Sequence, residues 1–204
     1  MIIGFDFDNT IINYSYLFAT LAKKKKLIKK NLKLDKNKIK NFLIQNNKEK
    51  EWTEIQGEVY GKEIMKAKIF KGFNNIFRCL IKNGVQVYIV SHKTKYPYLG
   101  RKINLRNAAL RWIKKNIINR NKDLNFTLKN IYFENSIEDK INRIKVLKCN
   151  VFIDDLPSIL QLLPKKIEKF LFNPNTNKLK KKFQIIRSWT KINKFKKKKW
   201  IKNL

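Results

Sequence analysis

The chain has 204 residues, of which 43% are apolar and 12% aromatic, and it carries a formal net charge of +33. This length and composition indicate a globular chain that folds as one compact domain, with room for an insert, and exclude a disordered chain. No apolar run approaches the roughly 18 residues that a membrane-spanning helix needs, so we expect no transmembrane segment.

The positive charge has two interpretations. A net charge this large is typical of proteins that bind nucleic acid or an anionic membrane surface. However, only 7 of the 48 basic residues are arginine, which phosphate-binding surfaces favour for its bidentate geometry. The chain is also rich in lysine, asparagine and isoleucine, whose codons are rich in A and T. We therefore attribute the charge mainly to composition bias.

Cysteine usage and the N-terminus predict a cytoplasmic protein. Cys79 and Cys149 lie in apolar helical or pre-strand contexts without zinc-binding spacing, as expected of reduced core residues. The N-terminus leads directly into a strand, without the basic region that opens a secretory signal.

Helices and strands are predicted in alternation along most of the chain. The first strand is the apolar run at 2–5, and a long helical, polar stretch follows it. Further strands are predicted at 85–90, 130–133, 151–153 and 169–172, and helices at 72–84, 105–118, 136–147 and 157–163. This alternation indicates an α/β fold with a parallel sheet.

The stretch at 13–69 interrupts the alternation directly after the first strand. It is too long for a loop between a strand and the next helix, so we predict an inserted helical cap. The chain then divides into an α/β core (1–12 and 70–176), the cap, and a basic C-terminal tail (177–204). The tail has 12 basic and no acidic residues and has no clear place in the sheet.

Four of the seven aspartates fall in two tight groups. Asp6 and Asp8 follow the first strand, and Asp154 and Asp155 follow the strand VFI. In an open parallel sheet, ligands bind at the edge formed by the carboxyl ends of the strands. Four carboxylates that meet there would repel one another unless a cation lay between them. Because oxygen ligands with room for water and phosphate suit Mg²⁺, the sequence predicts a magnesium site.

At this point the motifs resemble those of the haloacid dehalogenase (HAD) superfamily. DFDNT, at residues 6–10, is similar to its DxDxT signature, and VFIDDLP is similar to its fourth motif. Ser91 ends a strand as in the second motif, and Lys140 lies in the first turn of a helix, where the third-motif lysine is expected. The insert at 13–69 lies where members carry a C1-type cap. The resemblance covers most of the chain and implies a three-layer, Rossmann-like HAD core.

The resemblance also implies a role for each matched residue. Asp6 would be the nucleophile that forms an aspartyl-phosphate, and Asp8 would act as general acid and then as general base. Thr10 would brace this pair, while Ser91 and Lys140 would bind the transferring phosphoryl oxygens. Mg²⁺ would be held by Asp6, the backbone carbonyl of Asp8 and Asp154, with Asp155 either as a further ligand or as an orienting group.

The second acid, Asp8, favours phosphoryl transfer, since the resemblance implies that members which cleave carbon–halogen bonds lack that acid and the metal. We therefore predict an Mg²⁺-dependent phosphatase that hydrolyses a small phosphomonoester, because a cap that closes over the cleft suits a small substrate. Two alternatives stay open. One is a phosphatase that acts on nucleic-acid ends, and the other is a catalytically quiet basic binding protein on the same fold.

Several weaker candidates accompany these motifs. His92 is either a substrate contact or an incidental loop residue, and Lys93 and Lys95 could help to hold an anionic substrate. In the cap, candidates for substrate selection are Glu54, Glu58 and Tyr60, whereas a core-facing stripe is predicted for Trp52, Ile55 and Val59. The tail interleaves lysine runs with Phe183, Trp189, Phe195 and Trp200. The tail could bind single-stranded nucleic acid or an anionic membrane, or be a biased extension without a partner.

Overall fold

Six parallel strands form the main sheet of the structure, a computed structural model that describes residues 1–29, 31, 35–175 and 183–191. The strands of this sheet are β1 (Ile2–Phe5), β4 (Gln86–His92), β5 (Ile131–Glu134), β6 (Val151–Asp154), β7 (Glu168–Phe172) and β8 (Gln184–Ile186). Two short strands, β2 (Ile12–Asn13) and β3 (Lys68–Ile69), pair with each other in a separate sheet. The predicted α/β fold with a parallel sheet is confirmed.

The strand order of the main sheet is β5-β4-β1-β6-β7-β8. β1 therefore lies between β4 and β6, with Phe5 in register with Ile89 on one side and Ile153 on the other. The central strands β1 and β6 are largely apolar, as is usual in parallel sheets that helices cover on both faces. Since neighbouring strands run in the same direction, the carboxyl ends of β1, β4 and β6 lie side by side.

Seven α-helices are present among the described residues: α1 (Ser15–Lys24), α2 (Lys36–Gln45), α3 (Glu49–Tyr60), α4 (Phe73–Lys82), α5 (Leu105–Asn116), α6 (Ile137–Val146) and α7 (Pro157–Leu162). The helices and strands predicted from residue 72 to residue 172 are confirmed within two residues at each end. Sequence signals explain several of these ends. The Ser136 hydroxyl accepts a hydrogen bond from the Asp139 amide at 3.0 Å and so caps α6. Pro157 occupies the first turn of α7.

The chain divides into two compact units. The first comprises Met1–Ile12, Ile69–Lys93 and the described part of Lys114–Leu204, and it contains the main sheet. The second comprises Asn13–Lys68 together with Thr94–Ile113. The unit that holds the insert therefore includes a segment outside the insert's predicted bounds.

The second unit has a core of its own. The helices α1, α2 and α3 pack against one another, and the predicted core-facing stripe of Trp52, Ile55 and Val59 is confirmed as buried. The Trp112 indole donates a hydrogen bond of 2.9 Å to the Ala67 carbonyl. Among the described residues, no helix is both long enough and apolar enough to cross a membrane.

The expectation that the C-terminal region has no place in the sheet is wrong for part of that region. β8 pairs in parallel with β7, with Ile185 in register with Leu171, so 169–172 is not the last strand. The sequence signal was weak because β8 has only three residues between lysine-rich stretches. Phe195 and Trp200 lie outside the described residues.

Trp189 is also part of the core and not an exposed aromatic side chain. Its side chain is 3% exposed and stacks on Phe172, with ring centroids 4.7 Å apart and an interplanar angle of 8°. The Trp189 ring also makes edge contacts with Phe5 and Phe73. A buried indole has no face for a nucleic-acid base, so the predicted stacking role is wrong for this residue.

Candidate active site

Asp6 follows β1 directly and lies at the centre of the candidate site. Its amide donates a hydrogen bond of 2.8 Å to the Ile153 carbonyl, which continues the pairing of β1 with β6. Its side chain is buried, and its Oδ1 accepts hydrogen bonds from the Ser91 hydroxyl at 2.9 Å and from Lys140 Nζ at 2.6 Å. The ends of β1 and β4 and the first turns of α6 thus meet at one carboxylate.

Lys140 lies between two carboxylates. Its Nζ is 2.6 Å from Asp6 Oδ1 and 2.7 Å from Asp154 Oδ2, and its side chain is 2% exposed. Burial acts to lower the pKa of Lys140, but the charges of Asp6 and Asp154 raise that pKa above its usual value. The Lys140 ammonium therefore offsets part of the negative charge of the site.

The pKa of Asp6 is raised from 3.8 to about 6. Burial is the largest cause, because it disfavours the charged carboxylate. Lys140 opposes the shift, whereas the charges of Asp154 and Asp8 add to it. Asp6 and Asp154 share the single ammonium group of Lys140, which leaves an excess of negative charge around Asp6 when both are ionised.

Three carboxylates could share one cation. Oxygen atoms of Asp6, Asp154 and Asp155 all lie within 4.8 Å of one another. Asp154 is fully buried, and its Oδ1 accepts a hydrogen bond from the Leu156 amide at 2.8 Å, which fixes its orientation. An all-oxygen donor set of this kind fits Mg²⁺. Among the described residues, this group does not include the carboxylate of Asp8, and a role for the Asp8 backbone carbonyl as ligand stays a prediction.

Asp8 lies in a tight turn after Asp6. Asn9 adopts a left-handed conformation (φ 59°), and its amide donates to the Ile12 carbonyl at 2.9 Å. The Asp8 carboxylate accepts hydrogen bonds from Lys93 Nζ at 2.8 Å through Oδ2 and at 3.2 Å through Oδ1. Its side chain is 20% exposed, so this acid is more accessible than Asp6.

Thr10 is fully buried at the end of the same turn. Its hydroxyl makes no hydrogen bond to any described residue. Its backbone carbonyl instead accepts a hydrogen bond from the Trp189 indole at 3.0 Å. Trp189 is a contributor to this region that the sequence did not indicate, because the two residues are 179 positions apart.

Lys93 is the second residue whose place the sequence did not reveal. The sequence offered it as a residue that could help to hold an anionic substrate, and the structure shows its ammonium group buried and paired with Asp8. A signal was present, since Lys93 lies two residues after Ser91, and alternate residues of an extended chain point to the same side.

The other weak candidates take a variety of positions. His92 Nε2 lies 3.0 Å from the Asn135 carbonyl, so this nitrogen carries the hydrogen and donates it. Lys95 lies over the ring of Tyr96, with Nζ 5.4 Å from the ring centroid. In the second unit, Glu54 is exposed, Glu58 forms an ion pair of 2.6 Å with Lys25, and Tyr60 makes an edge contact with Tyr14.

Solved structures share this fold along nearly the whole chain. A HAD hydrolase of family IA, variant 3, from Entamoeba histolytica is 15% identical with a TM-score of 0.58, and the match covers 98% of this chain and 99% of that one. A HAD-superfamily hydrolase from Ehrlichia chaffeensis is 15% identical with a TM-score of 0.50, over 95% and 94%. A dehalogenase is 11% identical with a TM-score of 0.52, over 92% and 93%.

No protein-family model and no curated protein matches the chain. The structural neighbours nevertheless agree on one architecture, and the chain has the fold of the HAD hydrolases. Because the neighbours include a dehalogenase, the fold by itself does not select the reaction. The reaction has to be argued from the side chains of the site.

Proposed function

We propose that the protein is a HAD-superfamily phosphatase that hydrolyses a phosphomonoester through an aspartyl-phosphate on Asp6, with Mg²⁺ as cofactor. The observation that carries this proposal is the set of partners around Asp6. Ser91 and Lys140 donate to one oxygen of its carboxylate, and Asp154 and Asp155 lie close enough to share a cation with it.

In the first step, a carboxylate oxygen of Asp6 forms a bond to phosphorus as the bond from phosphorus to the leaving oxygen breaks. Both hydrogen bonds that Asp6 accepts from described side chains use Oδ1, which leaves Oδ2 for the attack. Asp8 donates a proton to the leaving oxygen. In the second step, Asp8 takes a proton from a water whose oxygen forms a bond to phosphorus as the bond from phosphorus to Asp6 breaks, which frees the Asp6 carboxylate and releases phosphate.

Electrostatics explains the proposed roles of Lys140, Ser91 and the carboxylates that would hold Mg²⁺. A phosphate dianion that approaches a carboxylate is repelled, and the Lys140 ammonium beside Asp6 reduces that repulsion. Ser91, whose hydroxyl donates to Asp6 Oδ1 in the structure, would donate instead to a phosphoryl oxygen of the bound substrate. The residues that would hold Mg²⁺ are Asp6, Asp154 and Asp155, where the ion would supply further positive charge to the transferring group.

The substrate that we propose is a small phosphorylated molecule. The support for it is the insert at 13–69, since a cap of this kind suits small substrates better than macromolecules.

The first test is turnover of p-nitrophenyl phosphate with Mg²⁺. The wild type should release p-nitrophenol, and Asp6→Asn should reduce kcat by a factor of about 10⁴ or more, because it removes the nucleophile. Asp139→Asn is the matched control, since Asp139 is exposed in the first turn of α6. A wild-type protein that shows no turnover with any divalent metal would favour the binding-protein alternative.

A further inference from the structure

Lys93 is a buried charge for which the proposed mechanism has no use. Among the described residues, the charged side chains classed as buried are Asp6, Lys93, Lys140 and Asp154. Three of them act at the nucleophile, but Lys93, which is 4% exposed, pairs with Asp8. Burying an ammonium group costs several kcal/mol unless a close partner offsets the loss of water. Contact with water does not stabilise the Lys93 ammonium group at this buried position. The Lys93–Asp8 pair therefore has to be explained by what it does in the site.

The pairing follows from how two chain segments run side by side. Ser91 donates to Asp6, and Lys93 donates to Asp8, with the same separation of 85 residues in both pairs. Alternate residues after β1 thus face alternate residues at the end of β4. Lys93 Nζ therefore donates to Asp8, whereas Ser91 and Lys140 donate to Asp6.

Lys93 is also held along its length. Its backbone amide donates to the Glu134 carbonyl at 2.9 Å, which extends the pairing of β4 with β5. Its Nζ lies 5.7 Å from the centroid of the buried Phe7 ring, and that ring makes an edge contact with Phe133 at 5.9 Å. An ammonium group anchored in this way limits the positions that the Asp8 carboxyl can adopt.

We infer that Lys93 is a positioning residue that holds the Asp8 carboxyl for proton transfer to the leaving oxygen, an inference that depends on the proposed phosphatase function. The carboxyl is held unequally, at 2.8 Å through Oδ2 and 3.2 Å through Oδ1. A carboxyl held by Oδ2 can carry its proton on Oδ1.

The proton balance of the step leaves Lys93 unchanged. The electron pair of the breaking phosphorus–oxygen bond goes to the leaving oxygen, which takes the proton from Asp8. Lys93 neither gains nor loses a proton. Its effect should therefore depend on how much the leaving oxygen needs that proton. A sugar or glycerol alkoxide needs protonation, whereas p-nitrophenolate leaves readily without it.

The test compares two substrates in the Mg²⁺-loaded protein. Lys93→Met should lower kcat/KM, which reports the first step alone, at least about tenfold more for glycerol phosphate than for p-nitrophenyl phosphate, because general acid catalysis contributes about 10²–10⁴. For glycerol phosphate the loss should lie in kcat, with little change in KM. Lys93→Arg should restore most of the loss, since a guanidinium can also hold a carboxylate. Lys145→Met removes an exposed lysine of α6 and is the matched control.

Two results would overturn the inference while the proposed function stands. A Lys93→Met protein with a raised KM and unchanged kcat for both substrates would make Lys93 a substrate-binding residue. An equal loss of kcat/KM for both substrates would show that protonation of the leaving oxygen does not depend on Lys93, and its role would then be purely structural. Wild-type protein that is inactive on every phosphomonoester overturns the proposed function, and the inference with it.

A double variant covers the case in which Lys93→Met does not fold. Asp8→Asn/Lys93→Met removes both members of the pair, so that neither charge is left in place without the other. If Lys93 acts only through Asp8, this double variant and Asp8→Asn should have the same kcat for glycerol phosphate within about twofold. A further loss in the double variant would contradict the inference.

Discussion

The indole N–H of Trp189 donates a hydrogen bond of 3.0 Å to the backbone carbonyl of Thr10, and the Trp189 ring stacks on Phe172. The C-terminal segment that follows β8 therefore supports the turn that bears Asp8. A part of the chain with the composition of a basic tail thus contributes to the core next to the candidate site.

Replacing Trp189 should separate the contributions of its ring and its N–H to the free energy of unfolding. Trp189→Ala should lower the free energy of unfolding by about 3–5 kcal/mol through the loss of a buried aromatic ring. Trp189→Phe keeps an aromatic ring but leaves the Thr10 carbonyl without its donor, which should cost about 1–3 kcal/mol. Urea unfolding measures both. Tyr98→Ala is the control, because that ring is 82% exposed. Equal stabilities of Trp189→Ala and wild type would contradict the burial of Trp189.

A glycine is needed at position 72 because the same C-terminal segment lies directly against its backbone. Its φ is 89°, and an added Cβ would lie 2.8 Å from the Thr190 amide nitrogen and 2.9 Å from the Trp189 carbonyl carbon. Gly84 has a φ of 75° and no neighbour within 4 Å of an added Cβ. Both Gly→Ala variants should lose about 1–2 kcal/mol to the left-handed backbone, and Gly72→Ala about 1–3 kcal/mol more to the clash. Similar unfolding free energies for the two variants would rule out the close approach.

Lys140→Met should destabilise the protein and stop catalysis. The variant leaves Asp6 and Asp154 buried without their shared ammonium group, and breaking a buried pair in this way costs about 3–5 kcal/mol. Added Mg²⁺ should recover part of the loss, since a cation can offset the same charges. Unfolding in urea with EDTA or with Mg²⁺ tests this, and Lys145→Met on the exposed side of α6 should change the free energy by less than about 0.5 kcal/mol.

The metal site can be tested through its acidic residues. Asp154→Asn and Asp155→Asn should each raise the Mg²⁺ concentration for half-maximal activity, by about 10–100-fold for a residue that only orients the ion and by more for a direct ligand. Mg²⁺ should also raise the Tm of the wild type but not of Asp154→Asn. A response of both variants equal to that of Asp139→Asn would place the metal elsewhere.

Asp6 should titrate with a pKa of about 6 in the metal-free protein. Between the ordinary value of 3.8 and about 6, the folded protein holds a proton on Asp6 that the unfolded chain has lost. The contribution of this group to stability is therefore fully present below pH 3.8 and is lost as the pH rises through about 6. Carboxyl ¹³C NMR, assigned with Asp6→Asn, measures the pKa, and Mg²⁺ should lower it. A value below 4 in EDTA would show that Lys140 outweighs burial.

Local sequence patterns were sufficient to predict most strands of the main sheet. β6 and β7 are short apolar runs, and α6 begins at a serine that caps it, so each element carries its own signal. β8 was missed because a three-residue strand has no periodicity and depends on β7 for its hydrogen bonds. The sequence grouped Thr94–Ile113 with the α/β core, whereas in the structure these residues share a compact unit with Asn13–Lys68, a long-range association that local patterns do not indicate.

The sequence by itself determined the parallel α/β fold and named Asp6, Asp8, Ser91, Lys140 and the Asp154–Asp155 pair as one group of candidates. It could do so because parallel strands bring their carboxyl ends to one edge, which makes sequence position a guide to spatial position. Only the tertiary structure decided which ammonium meets which carboxylate. Lys140 joins Asp6 to Asp154, Lys93 holds Asp8, and Trp189 reaches Thr10, since such contacts depend on side-chain packing between residues far apart in the chain.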